Sequence, residues 1–541
     1  MTAFARGMLG LAIFIAVQAP KRIVAGPPDN LDRDAAALAQ RIDQAIAAKW
    51  AARGIRPTHE ADDAEFLRRV SLDLVGRIPT VADTRDFLDD HAADKRSRVV
   101  MRLLSHAQHV EHFKTAWRQM MMPNTNDRNL QFLASNLELW LRKQFKDNVP
   151  YDKMVRELLT APIASLDRRT GPRQSADKPL PIAFYQMNES KAENLAASTS
   201  RLFLGIKLEC AQCHDHPFAK WSRRQFWEFA AFFSGIQPFD PQFGGFSTIK
   251  EDPARRIIKV AGTDKEYEAR FLDGSVPKWK TGVASRVTLA DWLTSRDNPY
   301  FARNAVNRMW AHFFGIGLIE PVDEPRPENP PSHPELLDEL ASEFAAHQFD
   351  LNYLIRAITA SKTYQLSSAM TDPRQNDPRM FARMAVKGLT GEQLFDSLAV
   401  ATGYQDRLER FGPNQMTTTR AEFVARFSNA SDKRTEYQTS ILQALALMNG
   451  RFTSDATNSA QMKAPPQTLT LIAVSDAPFL DTPAKKIETL YLAALTRKPT
   501  TAERDRFVKF VEKGGPDHDE KKALADVFWA LLNSTEFVLN H

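Results

Sequence analysis

Apolar residues return at helical spacing along most of this chain. Phe66, Val70 and Leu74 lie four residues apart, which puts them on one face of a helix. Pro79 interrupts that pattern. Thr80 with Asp83 three residues on predicts a capped start for the next helix, with Val81, Thr84, Phe87 and Leu88 turned inward. Val99, Val100, Leu103 and Leu104 begin another. Ser190 with Glu193 predicts a capping box and a helix from Lys191 to about His214, ended by Pro217, with Leu195, Leu202, Ile206, Cys210 and Cys213 on one face. Residues 166–178 lack apolar periodicity and read as an exposed loop. Gly and Pro thicken over 237–246, and Ile257, Ile258 and Val260 within 256–271 predict a short hairpin. Helical spacing returns at 336–344, 351–359 and 487–495, then in a helix capped by Thr500 with Glu503, and last at 527–539. The expected fold is mainly α.

The 541 residues exceed one ordinary core and predict two helical domains. The first, 30–235, carries the paired cysteines; a Gly/Pro-rich connection, 236–283, holds the hairpin; the second domain is 284–541. Residues 1–25 read as a signal peptide or N-terminal anchor, because Arg6 precedes an apolar run from Met8 to Val17, and Ala19 and Ala25 follow. That run is short for a membrane span, so any membrane association is expected through the N-terminus only. The expected location is the periplasm or cell surface. Hydrophobic residues at 43% and charged residues at 25% describe a globular chain. The net charge of +5 arises from 71 basic and 66 acidic side chains, with no basic cluster interleaved with aromatics, so nucleic acid is not an expected partner.

The chemistry concentrates in Cys210-Ala211-Gln212-Cys213-His214, which contains both cysteines of the chain. C-x-x-C-H is the spacing for covalent haem c attachment: two thiols bond the porphyrin and the next imidazole ligates the iron. Cys210, Cys213 and His214 are therefore the expected cofactor residues, with His214 the proximal iron ligand. Two alternatives stand beside haem: a disulfide with no cofactor, as an oxidising compartment favours, and zinc held by Cys210, Cys213 and His216 with a fourth ligand from elsewhere. Asp215 is a candidate to orient a ligating imidazole or a plain turn carboxylate. His312 and His333 are the candidate distal ligands, each also readable as structural. His106, His109 and His112 read as a solvated face, and Met120, Met121 and Met122 as core with thioether ligation in reserve. Phe218, Trp221, Phe226, Trp227, Phe229, Phe232 and Phe233 suit a haem pocket or an ordinary core, and Arg223 and Arg224 suit propionate pairing or a charged surface. Asp323, Glu324 and Glu328 lie in a Pro-rich loop that could hold a sugar or cation. No nucleophile elbow, phosphate loop or dinucleotide fingerprint occurs. A hydrolase using the acidic loop has little support, and whether the chain is an enzyme stays open.

Several segments together resemble one family: FLRRVSLDLVGRIPT at 66–80, LECAQCHDHPFAKW at 208–221, NRMWAHFFGIGLIEPVD at 307–323, PSHPELLDELASEF at 331–344, SKTYQLSS at 361–368 and ALLNSTEFVLNH at 530–541. The chain is similar in these to the planctomycete-type cytochrome-c-like proteins built from two paired domains of unknown function. That resemblance implies an exported protein with a haem motif in its first domain, and no established reaction. The expectation is an exported haem c protein in electron transfer or in a redox enzyme, with an unidentified redox partner protein and a polysaccharide or small molecule as candidate substrate. The competing expectation is a non-redox scaffold or binding protein.

Overall fold

The computed structural model describes residues 30–122, 128–163, 179, 181–237, 251–326, 328–404, 408–410, 416–427, 435, 448, 457 and 469–541. The apolar run at the N-terminus, the loop at 166–178 and the segment 237–246 apart from Gln237 fall outside them. No described helix is long and apolar enough to cross a membrane.

The protein is mainly α-helical, with its described strands confined to short antiparallel pairs. Local signals set many helix starts. Asp62 accepts the Glu65 N–H at 2.8 Å to open Asp63–Val75, and Gly76 in the left-handed region closes it. Thr80 caps Val81–Leu88 through Asp83, with Thr84 and Phe87 buried. Thr500 and Glu503 form the expected capping box on Thr501–Glu512. The hairpin pairs Ile257–Lys259 with Glu266–Glu268, Ile258 facing Tyr267 in register. The last helix differs from its expected bounds. It spans Glu520–Leu532, because Asp519 caps Lys521 and Lys522 and the Ser534 hydroxyl turns back onto the Leu531 carbonyl. The chain beyond forms the strand Leu539–Asn540 against Lys387–Gly388.

Two apolar cores result. The larger runs from Ala35 to Met384 and includes the helices Ala192–Thr199, Phe301–Phe314 and Leu351–Ala360. The smaller joins residues from Leu389 to Phe537 and takes in Leu72 and Ile78. The helix Asp63–Val75 therefore faces both. Phe66, Val70 and Leu74 point into the first core and Leu72 into the second. Arg68, Arg69, Ser71 and Asp73 on it are buried. Asp73 Oδ1 accepts from Lys387 Nζ at 2.7 Å and from Asn540 Nδ2 at 2.8 Å, and its Oδ2 accepts from the Tyr364 hydroxyl at 2.9 Å. Arg68 donates to the carbonyls of Ala494 and Phe537, and Arg69 to that of Tyr364. Four of the segments that carry the resemblance meet at this knot.

Candidate functional site

The helix expected to carry both cysteines stops early. Ala192–Thr199 is α-helical, Ser200–Leu204 widens into a π-turn, and Gly205 closes it at φ +70°. A Cβ on Gly205 would lie 2.7 Å from Asn304 Oδ1, so close packing against the helix Phe301–Phe314 and the positive φ both demand glycine there. The expected Ser190 capping box is absent: Ser190 sits at φ 51° and Lys191 occupies the N-cap without a side-chain bond. Cys210 falls instead on a 3-10 turn, Leu208–Ala211, and Cys213 and His214 on the bend after it. The common helical face of Leu202, Ile206, Cys210 and Cys213 is thus replaced by a folded surface turn.

That turn is held from below. Leu208 and Ala211 are fully buried, whereas Cys210, Cys213 and His214 are exposed and both thiols are free. The Gln212 carbonyl accepts from the Trp227 indole N–H at 3.1 Å and from Arg223 Nε at 3.3 Å. The Asp215 carboxylate takes the Arg223 backbone N–H at 2.8 Å, at the start of the helix Arg223–Ala230. Asp215 therefore fixes the turn to that helix. His214 Nδ1 lies 2.7 Å from the Asp215 carbonyl. A carbonyl only accepts, so Nδ1 carries the proton and Nε2 keeps its lone pair. A ring held by one nitrogen in this way has its other nitrogen ready for a metal. His216 is committed elsewhere: its Nδ1 accepts the N–H groups of Phe218 and Ala219 at 3.1 and 3.0 Å. Burial, then the nearby Arg326 charge, pull its pKa down.

A cleft of about 270 Å³ opens beside Cys210, between His216 and Phe218 on one side and Asp323, Glu324 and Arg326 on the other. Lys207 Nζ ties the two sides, 2.6 Å from Glu324 Oε1 and 3.4 Å from Asp323 Oδ1. Arg326 also pairs with Glu324, and its guanidinium lies 5.6 Å from the centre of the exposed Phe218 ring. The bond from Lys207 holds Glu324 below the usual carboxylate range. Burial, then the Glu209 charge, raise the Cys210 thiol, the reverse of the lowered thiol of a disulfide-exchange cysteine.

The other candidates lie apart from this cleft. His312 donates from Nε2 to the Asp73 carbonyl at 2.8 Å, within the central knot. His333 is buried against Ser332 and Phe381, and burial pulls its pKa to about 4. Neither lines the cleft. The three histidines at 106, 109 and 112 do not make a solvated face. His106 caps Ala107–Met121, and His109 is buried with Nδ1 donating to the Leu74 carbonyl at 2.9 Å. His112 packs between Phe113 and His312. Met121 and Met122 are core. Trp221, Phe226, Trp227, Phe229, Phe232 and Phe233 are buried in the main core, leaving Phe218 exposed at the cleft. Arg224 is an exposed partner of Glu228. Glu328 is exposed, and Asp323 and Glu324 are engaged by Lys207. Among the described residues no three His, Cys, Asp or Glu side chains converge as metal ligands, so the set Cys210, Cys213 and His216 is not assembled. Sequence reasoning missed Lys207 and Arg326. Their only local signal is a cation next to each motif, three residues before Cys210 and two after Glu324.

Fold and site define a mainly helical protein that presents two free thiols and an imidazole on one anchored surface turn. Residues 41–238 match the family described as PSCyt2, protein of unknown function (DUF1549), and residues 285–435 match PSD1, protein of unknown function (DUF1553). The chain pairs two domains of unknown function. The turn lies within the first match and the opposing wall, 323–326, within the second. No curated protein and no solved structure matches the chain.

Proposed function

We propose that this is an exported, planctomycete-type cytochrome-c-like protein of the periplasm or cell surface. In it Cys210 and Cys213 bond a haem c and His214 ligates the iron, for electron transfer or as the redox subunit of an enzyme. The observation that carries the reading is the donor set: two free, exposed thiols on a turn, followed by an exposed imidazole whose Nδ1–H is fixed by the Asp215 carbonyl. Haem so held would supply a one-electron couple. The chain's own part is to anchor the turn through Leu208, Ala211 and the Trp227 indole, to fix the His214 tautomer, and to offer Phe218 as apolar cover. One haem makes no wire, so a redox partner protein is part of the proposal. The test is expression with a cytochrome c maturation system, then a pyridine haemochrome spectrum and intact mass. Covalent haem lost in Cys210→Ser and Cys213→Ser is the expected result. A colourless, folded chain, with its thiols joined or carrying zinc, overturns the proposal in favour of a scaffold or binding protein.

A further inference from the structure

A second cavity, about 440 Å³, adjoins the cysteine cleft and shares with it Ile206, Ala219, Trp221, Pro325 and Arg326. Its volume is that of a small-molecule site. Its chemistry is one-sided. Lys220, Arg303 and Arg326 line it, and no Asp or Glu does among the described residues. Two of these cations have carboxylate partners placed outside the lining: Arg303 pairs with Asp338, and Arg326 with Glu324. Lys220 makes no ion pair among the described residues; its ammonium lies 5.6 Å from the Trp221 ring centre. Arg326 Nε is buried with no hydrogen-bond partner, and a buried donor left unmade is costly unless something supplies its acceptor. The lining is also aromatic: the Trp221 and Tyr300 rings meet edge to face at 65° with centroids 6.2 Å apart. Gly205 opens the floor, where a side chain would strike Asn304. The Asn307 side chain is spent on the Ile319 backbone and on the Val322 carbonyl, and shapes the wall.

We propose that this cavity binds a carboxylate carried on a ring with an apolar face, the carboxylate meeting Arg326 and Lys220 and the ring packing into the corner that Trp221 and Tyr300 make. A planar guanidinium suits a carboxylate better than an ammonium does, and an aromatic wall accepts either an aromatic acid or the flat face of a sugar acid. The proposal rests on the redox reading only in making this ring acid the substrate class. Binding itself needs no haem, and haem content measured on every sample separates the two failures.

The test titrates the full chain with 4-hydroxybenzoate and, in a second arm, with galacturonate, by calorimetry at low salt. Saturable binding of either is expected, weakened by added KCl. Arg326→Gln should raise the Kd about ten- to hundredfold, the loss of a charge-assisted contact, with partial recovery in Arg326→Lys. Lys220→Gln should raise it severalfold. Arg224→Gln, an exposed cation away from the cavity, should leave it unchanged, and circular dichroism checks that each variant is folded. The arm that binds names the ligand source. Absence of saturable binding in both arms, or a Kd indifferent to both Arg326→Gln and Lys220→Gln, overturns the proposal.

Discussion

Asp73 and Lys387 are both wholly removed from solvent, and removing one charge should destabilise the whole molecule. In Asp73→Asn the shape is kept and the charge is lost. Lys387 Nζ then keeps neutral acceptors, among them the Phe313 carbonyl at 2.6 Å, and a buried ammonium that has lost its counter-charge costs about 3–5 kcal/mol. That is roughly a hundred- to several-thousandfold in the folding equilibrium, a large share of the about 5–15 kcal/mol typical of a domain. Lys387→Met should also destabilise, though less, because Tyr364 and Asn540 still donate to the carboxylate and the buried Arg69 charge remains near it. The double variant Asp73→Asn/Lys387→Met leaves no buried charge at this pair, so it should recover at least about 1 kcal/mol against the sum of the singles. Urea unfolding read by tryptophan fluorescence and by far-ultraviolet circular dichroism measures all four proteins. Because Asp73 joins segments of both cores, the two probes should move together. A cost below about 1 kcal/mol for Asp73→Asn, or strictly additive singles, would refute the account of a charge pair sealed between the cores.

His109 is held neutral by burial, its pKa pulled down to about 4. The unfolded chain takes up this proton near pH 6.5 and the folded chain only near 4, so stability present above 6.5 is lost as pH falls toward 4. Between pH 7 and 4.5 this one site contributes a loss of about 2–3 kcal/mol; His109→Gln should flatten the pH dependence of the free energy of urea unfolding by that much, and an unchanged slope would disprove it. Thr500→Ala removes the side-chain acceptor for the Glu503 N–H and should cost about 1 kcal/mol in thermal or urea unfolding. Gly205→Ala forces a side chain into a left-handed position 2.7 Å from Asn304 Oδ1. A cost above about 1 kcal/mol is expected, together with faster hydrogen exchange in the following turn; wild-type exchange there would contradict the packing described.

Legibility in the sequence followed the range of the interactions. Caps act within four residues, so Thr80 and Thr500 announced their helices correctly. Helical periodicity named Phe66, Val70 and Leu74 as core for the same reason. The cysteine helix failed because its stop depends on Asn304, a hundred residues away, which closes on Gly205. A glycine inside an otherwise helical pattern was the available sign of a C-terminus. His109 looked solvated because spacing within one helix cannot show that Leu74 offers it a carbonyl. The C-x-x-C-H residues were legible by type, but their exposure and the tautomer of His214 come from the fold of the turn. Lys207 and Arg326 were illegible, since each gains meaning only from the other side of the cleft.

The two family matches cover separate parts of the chain, yet neither completes a site alone. The first supplies the thiols, the imidazole, Lys207 and the Trp221 wall; the second supplies Tyr300, Asn304 and the segment 323–326. Two sets of bonds fix one against the other. Near the cleft, Lys207 reaches Glu324, and Asn304 donates to the Leu202 carbonyl at 2.7 Å just ahead of Gly205. At the far end, Asp73 collects Lys387, Tyr364 and Asn540 in a buried knot. A partly exposed ion pair such as Lys207–Glu324 contributes under about 1 kcal/mol, so it cannot by itself hold the cleft at one width. The apolar packing of the helix Phe301–Phe314 and the buried charges around Asp73 carry that task. Lys207, Glu324 and Arg326 thereby carry only a small share of that task and are available to exchange partners with the proposed anion. A cleft backed by packed core and edged by a weakly paired charged lip is suited to admit the proposed ligand without unfolding anything behind it.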